Sequence, residues 1–325
     1  MKQLNEMLRN LVVCRNGMMG IAMIAVIAYH GYCWIRPTAA LNVFKWGFIG
    51  VDMFLLVSAF GLCYSWQKHS ISKFYGNRVR RIFPLYAFKQ VAYALLGLIC
   101  GSLTFLGALK KFVLGSTTLF YYYPGCNHDD WFIPALIVLY LAFPFLYKMV
   151  DVIKARGVMA LTIGFLFAAY YVSPRIGWYY DCLMSRIPAF LLGILIYRAV
   201  EKREEFTAWD ILLWFGVFVA SVSFSTSRFF VATMVCPIVM LVAALALSIP
   251  RVQLIFEFFG LRSFELFLGH AFGFRMARSI GLVGVSCPIQ GKGACLFEIA
   301  IYIIFATLGS VFFLLINALI KKVNK

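Results

Sequence analysis

One histidine stands out because it lies inside an apolar stretch. His30 belongs to GMMGIAMIAVIAYHGYCWIRP, which begins at Gly17 and ends at Pro37, and about 20 apolar residues are enough to cross a bilayer as a helix. At about 1.5 Å per residue, the imidazole would lie roughly 20 Å along that helix. An ionisable side chain at this depth is costly and suggests a functional site. The alternative is a hydrogen bond that only joins two helices.

A pair of arginines in the polar segment between Gln67 and Pro84 is a second group that could do chemistry. Arg78 and Arg81 are three residues apart, so on a helix they would share one face. Two guanidinium groups can bind phosphate oxygens through paired hydrogen bonds. The alternative is an anchor to anionic lipids, for which positive charge is enough. By charge alone, the anchor is favoured.

The composition predicts which elements carry these groups. Of 325 residues, 63% are hydrophobic, 18% aromatic and only 13% charged, whereas soluble domains are nearer half apolar and a quarter charged. We therefore predict an all-α, multi-pass protein of the cell membrane (inner or plasma), with residues 1–325 as one domain. No long polar stretch or signal-peptide cleavage site is evident. The net charge of +17 is explained by topology, so nucleic acid is not expected as a partner.

The hydropathy pattern predicts about ten transmembrane helices. Their approximate ranges are 17–36, 46–66, 85–107, 131–147, 157–173, 183–200, 209–226, 229–249, 254–274 and 294–318. With Lys89 included, the side of both ends and the alternate loops carries 20 of the 30 Lys and Arg residues, and the outer side carries 10, among them Arg186. Because basic residues are enriched on the cytoplasmic side, both termini are predicted to be cytoplasmic. No internal repeat is evident, which disfavours an inverted-repeat transporter.

Two long polar segments are predicted on the outer side, from about residue 110 to 130 and from about 275 to 293. The first contains YYYPGCNHDDW, whose rings and polar groups suit a sugar, although aromatic residues also anchor proteins at membrane boundaries. No CxxC or Cys/His metal spacing occurs, so no metal is expected. One or two disulfides are possible among four cysteines near these segments, namely Cys126, Cys182, Cys287 and Cys295.

Five segments of the chain resemble the acyltransferase-3 family of membrane O-acyltransferases. The signature segment is SKFYGNRVRRIFPLY (72–86), which matches through Ser72, Phe74, Arg78, Arg81, Pro84 and Tyr86. The others are GFIGVDMFLLVSAFGL (47–62) with Asp52, DWFIPALIVLYLAFPFL (130–146) with Trp131, RIPAFLLGILI (186–196) with Phe190 and Gly193, and SFELFLGH (263–270) with His270. Each segment is weak alone, but five in the right order identify the chain as a member of this family.

The resemblance implies transfer of an acyl group, commonly acetyl from acetyl-CoA, to a carbohydrate hydroxyl. Acceptors in the family include surface polysaccharides and their lipid-linked precursors. An alcohol is a poor nucleophile at neutral pH, so His30 would serve as general base or carry the acyl group. Asp52 would orient the imidazole of His30 or would form a purely structural bond between helices. Arg78 and Arg81 would hold the phosphates of acetyl-CoA.

The resemblance also implies which partners the chain meets. Trp131 would lie in the acceptor site, and His270 would either share that site or only cap the cavity. Acyl-CoA, a carbohydrate and membrane lipid are therefore the expected partners. The sequence leaves open whether the chain forms a homo-oligomer.

The first helix departs from the family pattern, which usually has an arginine, ten residues and then the histidine. Met19 occupies the arginine position here, and Arg15 lies one helical turn earlier. Because residues four apart lie on one helix face, Arg15 is expected to supply the missing charge to a cofactor phosphate or to a cytoplasmic carboxylate. The alternative is that Arg15 is only one of the basic residues enriched on the cytoplasmic side. Leu136 replaces a glutamate of some members, which suggests a branch without that acid.

Two other function classes are considered beside the O-acyltransferase. The first is a transporter or flippase of a lipid-linked sugar that makes no bond. It would be expected to show repeats or broken midplane helices. The second is a structural membrane subunit, which gives no reason for the spaced arginines or for His30. The enzyme is therefore favoured.

Overall fold

The computed structural model describes residues 2–34, 39–118, 131–172, 175, 182–203, 206–223, 228–282 and 292–323. Within these ranges the chain is helical apart from short connections and contains no β-strand, which confirms the all-α prediction. The helices are α1 (Lys2–Val13), α2 (Arg15–Trp34), α3 (Ile49–Lys68), α4 (Ile71–Ile99), α5 (Phe105–Ser116), α6 (Phe132–Tyr171), α7 (Ile187–Lys202), α8 (Ala208–Ser223), α9 (Arg228–Leu247), α10 (Pro250–Gly260), α11 (Ser263–Ser279) and α12 (Lys292–Val323), with a 3-10 helix at Ala39–Trp46.

Six of the described helices are long and apolar enough to cross a membrane, namely α3, α4, α6, α7, α9 and α12. A seventh crossing is counted if α1 and α2, which are bent by 76° to each other, form one span. The helix α8 is apolar but has only 16 residues. The chain is therefore a membrane protein, as its composition predicted.

The polar segment between the second and third predicted spans is mostly helix. α4 begins at Ile71 and continues through Pro84 to Ile99. The helix thus begins well before the predicted span 85–107, because hydropathy marks only the apolar part of a helix and misses its polar turns. Arg78 and Arg81 consequently lie on one helix. Because they are three residues apart, they share one face of it.

Three predicted spans bear on where helices are interrupted. The span predicted at 254–274 is broken, since α10 ends at Gly260 and α11 begins at Ser263. The spans predicted at 131–147 and 157–173 both lie in α6, which contains one residue with non-helical dihedral angles, Lys154 (φ 56°, ψ −164°). Lys154 lies between these two predicted spans, whereas an apolar run did not reveal the break after Gly260.

The two predicted outer loops are described only in part. α5 extends to Ser116 and α11 extends to Ser279, so the first residues of both segments are helical. Residues 119–130 and 283–291 lie outside the described residues, and so do Cys126 and Cys287. Cys182 is a buried free thiol.

The helices form two compact units. The first, unit 1, contains residues 1–22, 48–70 and 128–261. Its α3 is buried along most of its length and packs against α7. A Cβ atom on Gly193 of α7 would lie 2.4 Å from the carbonyl oxygen of Leu56 on α3. Glycine is therefore required there for the two backbones to approach closely.

The second, unit 2, contains residues 23–47, 71–127 and 262–325. Its helices α11 and α12 are in backbone contact, since a Cβ on Gly273 would lie 1.9 Å from the carbonyl oxygen of Phe305. The end of α2 is attached to α12 because the hydroxyl of Tyr302 donates to the carbonyl of Ile27 at 2.6 Å. These contacts hold in place the helices that carry His30 and His270.

Candidate functional site

The two histidines predicted from the sequence meet in unit 2. The Nδ1 atom of His30 lies 2.7 Å from Nε2 of His270, which is a hydrogen-bond distance. Their rings are nearly parallel, with centroids 5.0 Å apart and 13° between the planes. His270 has no exposed surface, whereas His30 is partly exposed. The structure therefore contains a histidine pair with one member accessible.

Each member of the pair is held by its own helix surroundings. Nδ1 of His270 lies 2.9 Å from the carbonyl oxygen of Leu266, one turn earlier on α11. Beside His30, Gly31 packs so closely on α12 that a Cβ there would lie 2.9 Å from the ring of Tyr302. The histidine rings therefore have little freedom to move apart.

A buried lysine of α4 contributes a positive charge to unit 2. Lys89 is 1% exposed, and its ammonium lies 5.6 Å from the ring centroid of Tyr86 and 4.9 Å from that of Tyr93. Arg275 of α11 lies 4.9 Å from the same Tyr93 ring. Aromatic faces stabilise such cations in apolar surroundings.

The sequence interpretation had counted Lys89 among the cytoplasmic basic residues, and its burial corrects that assignment. A hydropathy window averages one charged residue into its apolar neighbours and cannot show which face it occupies. The sequence contained one signal for the position of Lys89. Lys89 follows Arg78 by 11 residues, which is about three helical turns. The two residues therefore share a face of α4.

The arginine pair predicted to hold the cofactor lies at the start of α4. Arg78 is half-buried, and its guanidinium lies 5.1 Å from the ring centroid of Phe74, one turn earlier. Arg81 is exposed. A planar guanidinium stacked on a ring is restrained in orientation, which favours directional hydrogen bonds to phosphate over a diffuse lipid contact.

Asp52 is fully buried on α3 in unit 1 and has two partners there. Its Oδ2 atom lies 3.6 Å from Nε of Arg186, and the hydroxyl of Thr233 donates to its Oδ1 at 2.5 Å. A buried carboxylate requires such compensation for its lost hydration. The structure therefore gives Asp52 a cationic partner that the sequence interpretation did not name, and its predicted action on His30 stays a prediction.

Arg186 is the polar residue of unit 1 that sequence reasoning missed. It is 1% exposed, and its guanidinium lies 4.9 Å from the ring of Trp131 and 4.4 Å from that of Phe229. Trp131, the predicted acceptor-binding residue, is half-buried at the start of α6. The available signal was an arginine directly before the apolar run IPAFLLGILI, which had been counted as an outer-loop charge.

Arg15, the predicted substitute for the family arginine, packs against α3 in unit 1. Its guanidinium occupies the space beside Gly61, where a Cβ would lie 2.9 Å from Nη2. Nη1 also donates to the side chain of Asn16 at 3.3 Å. Met19 is buried. The long Arg15 side chain is thus directed along α3, which the sequence could not show.

We predict that Asp52 and Arg186 stabilise the fold as a pair. Removing one partner of a buried ion pair typically costs about 3–5 kcal/mol, because the other charge is left uncompensated. Asp52→Asn and Arg186→Met should therefore each lower the midpoint of thermal unfolding in detergent. The double variant Asp52→Asn with Arg186→Met should recover most of the loss. Additive losses in this double-mutant cycle would contradict a direct pairing.

Comparison with known proteins assigns the chain to a family. The acyltransferase-3 family model, which describes an acyltransferase domain, matches residues 16–321. The protein named "Putative acetyltransferase ORF330" from Acidianus two-tailed virus is 24% identical over 195 residues, and the match spans 57% of this chain and 57% of that relative. No solved structure matches the chain. Because the family model covers nearly the whole sequence, including the helices of both histidines, the chain belongs to the acyltransferase-3 family.

Proposed function

We propose that this protein is a membrane O-acyltransferase that moves an acyl group, in the simplest case acetyl, from acyl-CoA to a carbohydrate hydroxyl. The observation that carries the proposal is the histidine pair on α2 and α11 in a chain whose family match spans residues 16–321. The acceptor is a surface polysaccharide or its lipid-linked precursor. The membrane is the inner or plasma membrane of the cell.

The chemistry follows from the positions of the side chains. His30 accepts the proton of the acceptor hydroxyl while the oxygen attacks the thioester carbonyl. The tetrahedral intermediate then collapses, the carbon–sulfur bond breaks, and the imidazolium returns the proton to the leaving thiolate. The products are an ester and free CoA. Lys89 adds a fixed positive charge in unit 2, which favours the negative charge that develops on the carbonyl oxygen.

The proposed donor site starts at Arg78 and Arg81. On α4, Lys89 is 11 residues beyond Arg78, a rise of about 16 Å along one helix face. An extended pantetheine arm whose phosphates rest on the arginines would run along this face. Arg15 is proposed to supply a further positive charge, in the role of the family arginine that Met19 replaces.

Mass spectrometry of surface glycans tests the proposal. Cells that express the protein should carry an acetyl-sized mass increment that is absent without the gene and absent with His30→Ala. The same membranes should transfer label from acetyl-CoA to the glycan. A changed amount of glycan at the surface, without any acyl increment, would instead indicate the transporter.

For the donor site, we predict that Arg78→Ala and Arg81→Ala each weaken acetyl-CoA binding about 10- to 100-fold, as expected for loss of charge-assisted hydrogen bonds. Lysine at either position should restore binding only in part, since it lacks the planar fork. Titration calorimetry in nanodiscs measures these affinities. Arg80→Ala is the matched control, because Arg80 is an exposed neighbour and its substitution removes the same charge. Equal loss in the control would indicate a lipid anchor.

Gly61 offers a test of Arg15 that removes no charge. A methyl group on Gly61 would displace the guanidinium of Arg15, and a flexible side chain can move at little cost to stability. We therefore expect Gly61→Ala to lower acyl transfer in parallel with Arg15→Ala, at normal protein level in the membrane. Met19→Arg should partly restore activity in both variants. Normal specific activity in Arg15→Ala would show that Arg15 has no role in transfer.

We propose ten crossings with both termini in the cytoplasm. α2, α8 and α11 supplement the six long helices, and α6 supplies two crossings. The apolar part of α6 has 37 residues, about 55 Å of helix, against a hydrocarbon layer of about 30 Å. The break at Lys154 lies where a turn between two crossings is needed. With Lys89 and Arg186 assigned to the interior, the basic excess on the cytoplasmic side stays about two to one.

A further inference from the structure

The hydrogen bonds of His270 determine which nitrogen of His30 can act as a base. A backbone carbonyl only accepts hydrogen bonds, so Nδ1 of His270, 2.9 Å from the oxygen of Leu266, carries a proton. In a neutral imidazole the other nitrogen then holds a lone pair. His270 is fully buried, and burial opposes a second proton, which would leave a positive charge without hydration. Nε2 of His270 is therefore an acceptor.

The same rule applies to the hydrogen bond between His270 and His30. Nδ1 of His30 lies 2.7 Å from the Nε2 acceptor of His270, so Nδ1 of His30 must donate. Its own Nε2 atom is then left with the lone pair. The direction of the hydrogen bonds runs from His30 through His270 to the carbonyl of Leu266.

We propose that His270 is a positioning residue that holds His30 in the Nδ1-protonated tautomer and thereby presents Nε2 of His30 as the base. In serine hydrolases a buried carboxylate holds the catalytic histidine in this way. Here a neutral histidine, itself oriented by a backbone carbonyl, takes that place. This inference rests on the proposed function for its catalytic consequence, but not for the tautomer.

The packing of α11 explains why the arrangement is stable. Gly269 and Gly273 flank His270, and a Cβ on Gly269 would lie 2.4 Å from the Cα of Ser310 on α12. No rotation of α11 about its axis is compatible with this backbone contact. The imidazole of His270 is fully buried, and its ring is nearly parallel to that of His30, as the hydrogen bond between the two rings requires. An orientation set by backbone contact and by this hydrogen bond is not easily lost.

Three variants of His270 separate positioning from simple helix attachment. In His270→Gln, the side-chain oxygen reaches the place of Nε2 and accepts from His30. In His270→Asn, the shorter amide replaces only Nδ1 and donates to Leu266. His270→Leu keeps the volume and neither bond. We expect kcat within about 10-fold of wild type for the Gln variant, and about 100- to 1000-fold losses for the other two. KM for acetyl-CoA should not change.

Nitrogen NMR provides a readout that requires no activity. The chain has four histidines, and replacing His69 and His128 by Gln leaves the pair alone. The protein with these two replacements is the parent for the measurement. With labelled imidazole nitrogens, His30 should carry its proton on Nδ1 in the parent and in the parent with His270→Gln. In His270→Leu both tautomers should be populated.

Each result has a defined meaning. A proton on Nε2 of His30 in the parent, or activity in His270→Asn equal to that of His270→Gln, would overturn the inference. If the variants do not fold, the spectrum of the parent still decides. If the wild-type protein transfers no acyl group, the proposed function fails, while the tautomer of His30 still supports or contradicts the role of His270.

Discussion

Polar side chains inside these apolar helices must find their partners within the protein, and this constraint shapes both units. In hydrocarbon surroundings, an uncompensated polar group costs several kcal/mol. Three solutions occur among the described residues. His30 and His270 are hydrogen-bonded to each other, Asp52 forms an ion pair with Arg186 and accepts a hydrogen bond from Thr233, and Lys89 lies beside aromatic rings of its own helix. The first two solutions require that helices meet at a definite height.

Backbone contact between helices determines the height at which they meet. Apolar side chains alone give little preference for one helix register in lipid, because lipid tails are equally apolar. Where glycines allow two backbones to touch, as at Gly273 against Phe305 and at Gly193 against Leu56, a shift along the axis loses many close contacts at once. The polar pairs then form at fixed positions between helices whose register is already determined.

The polar clusters differ in what they can do chemically. The histidine pair has a partly exposed member, and a neutral imidazole can both take up and release a proton. The pair of Asp52 and Arg186 is almost fully buried, beside the rings of Trp131 and Phe229, so each charge compensates the lost hydration of the other.

The sequence by itself determined the membrane class, the helical fold and the family. These follow from averages over many residues and from the order of five motifs, which do not depend on any one contact. It also identified His30, because a lone imidazole in an apolar run is conspicuous. Hydropathy could not show that α4 extends through the basic segment, or that the residues after Gly260 interrupt a predicted span, because the conformation of single residues does not alter the average.

Only the tertiary structure decided the partners. It paired His30 with His270, which lies 240 residues later, and it moved Lys89 and Arg186 from the surface charge count to the interior. It also directed Arg15 toward Gly61. Which side chains meet depends on helix register and rotation, which are determined by packing between segments far apart in the chain. No local pattern contains that information.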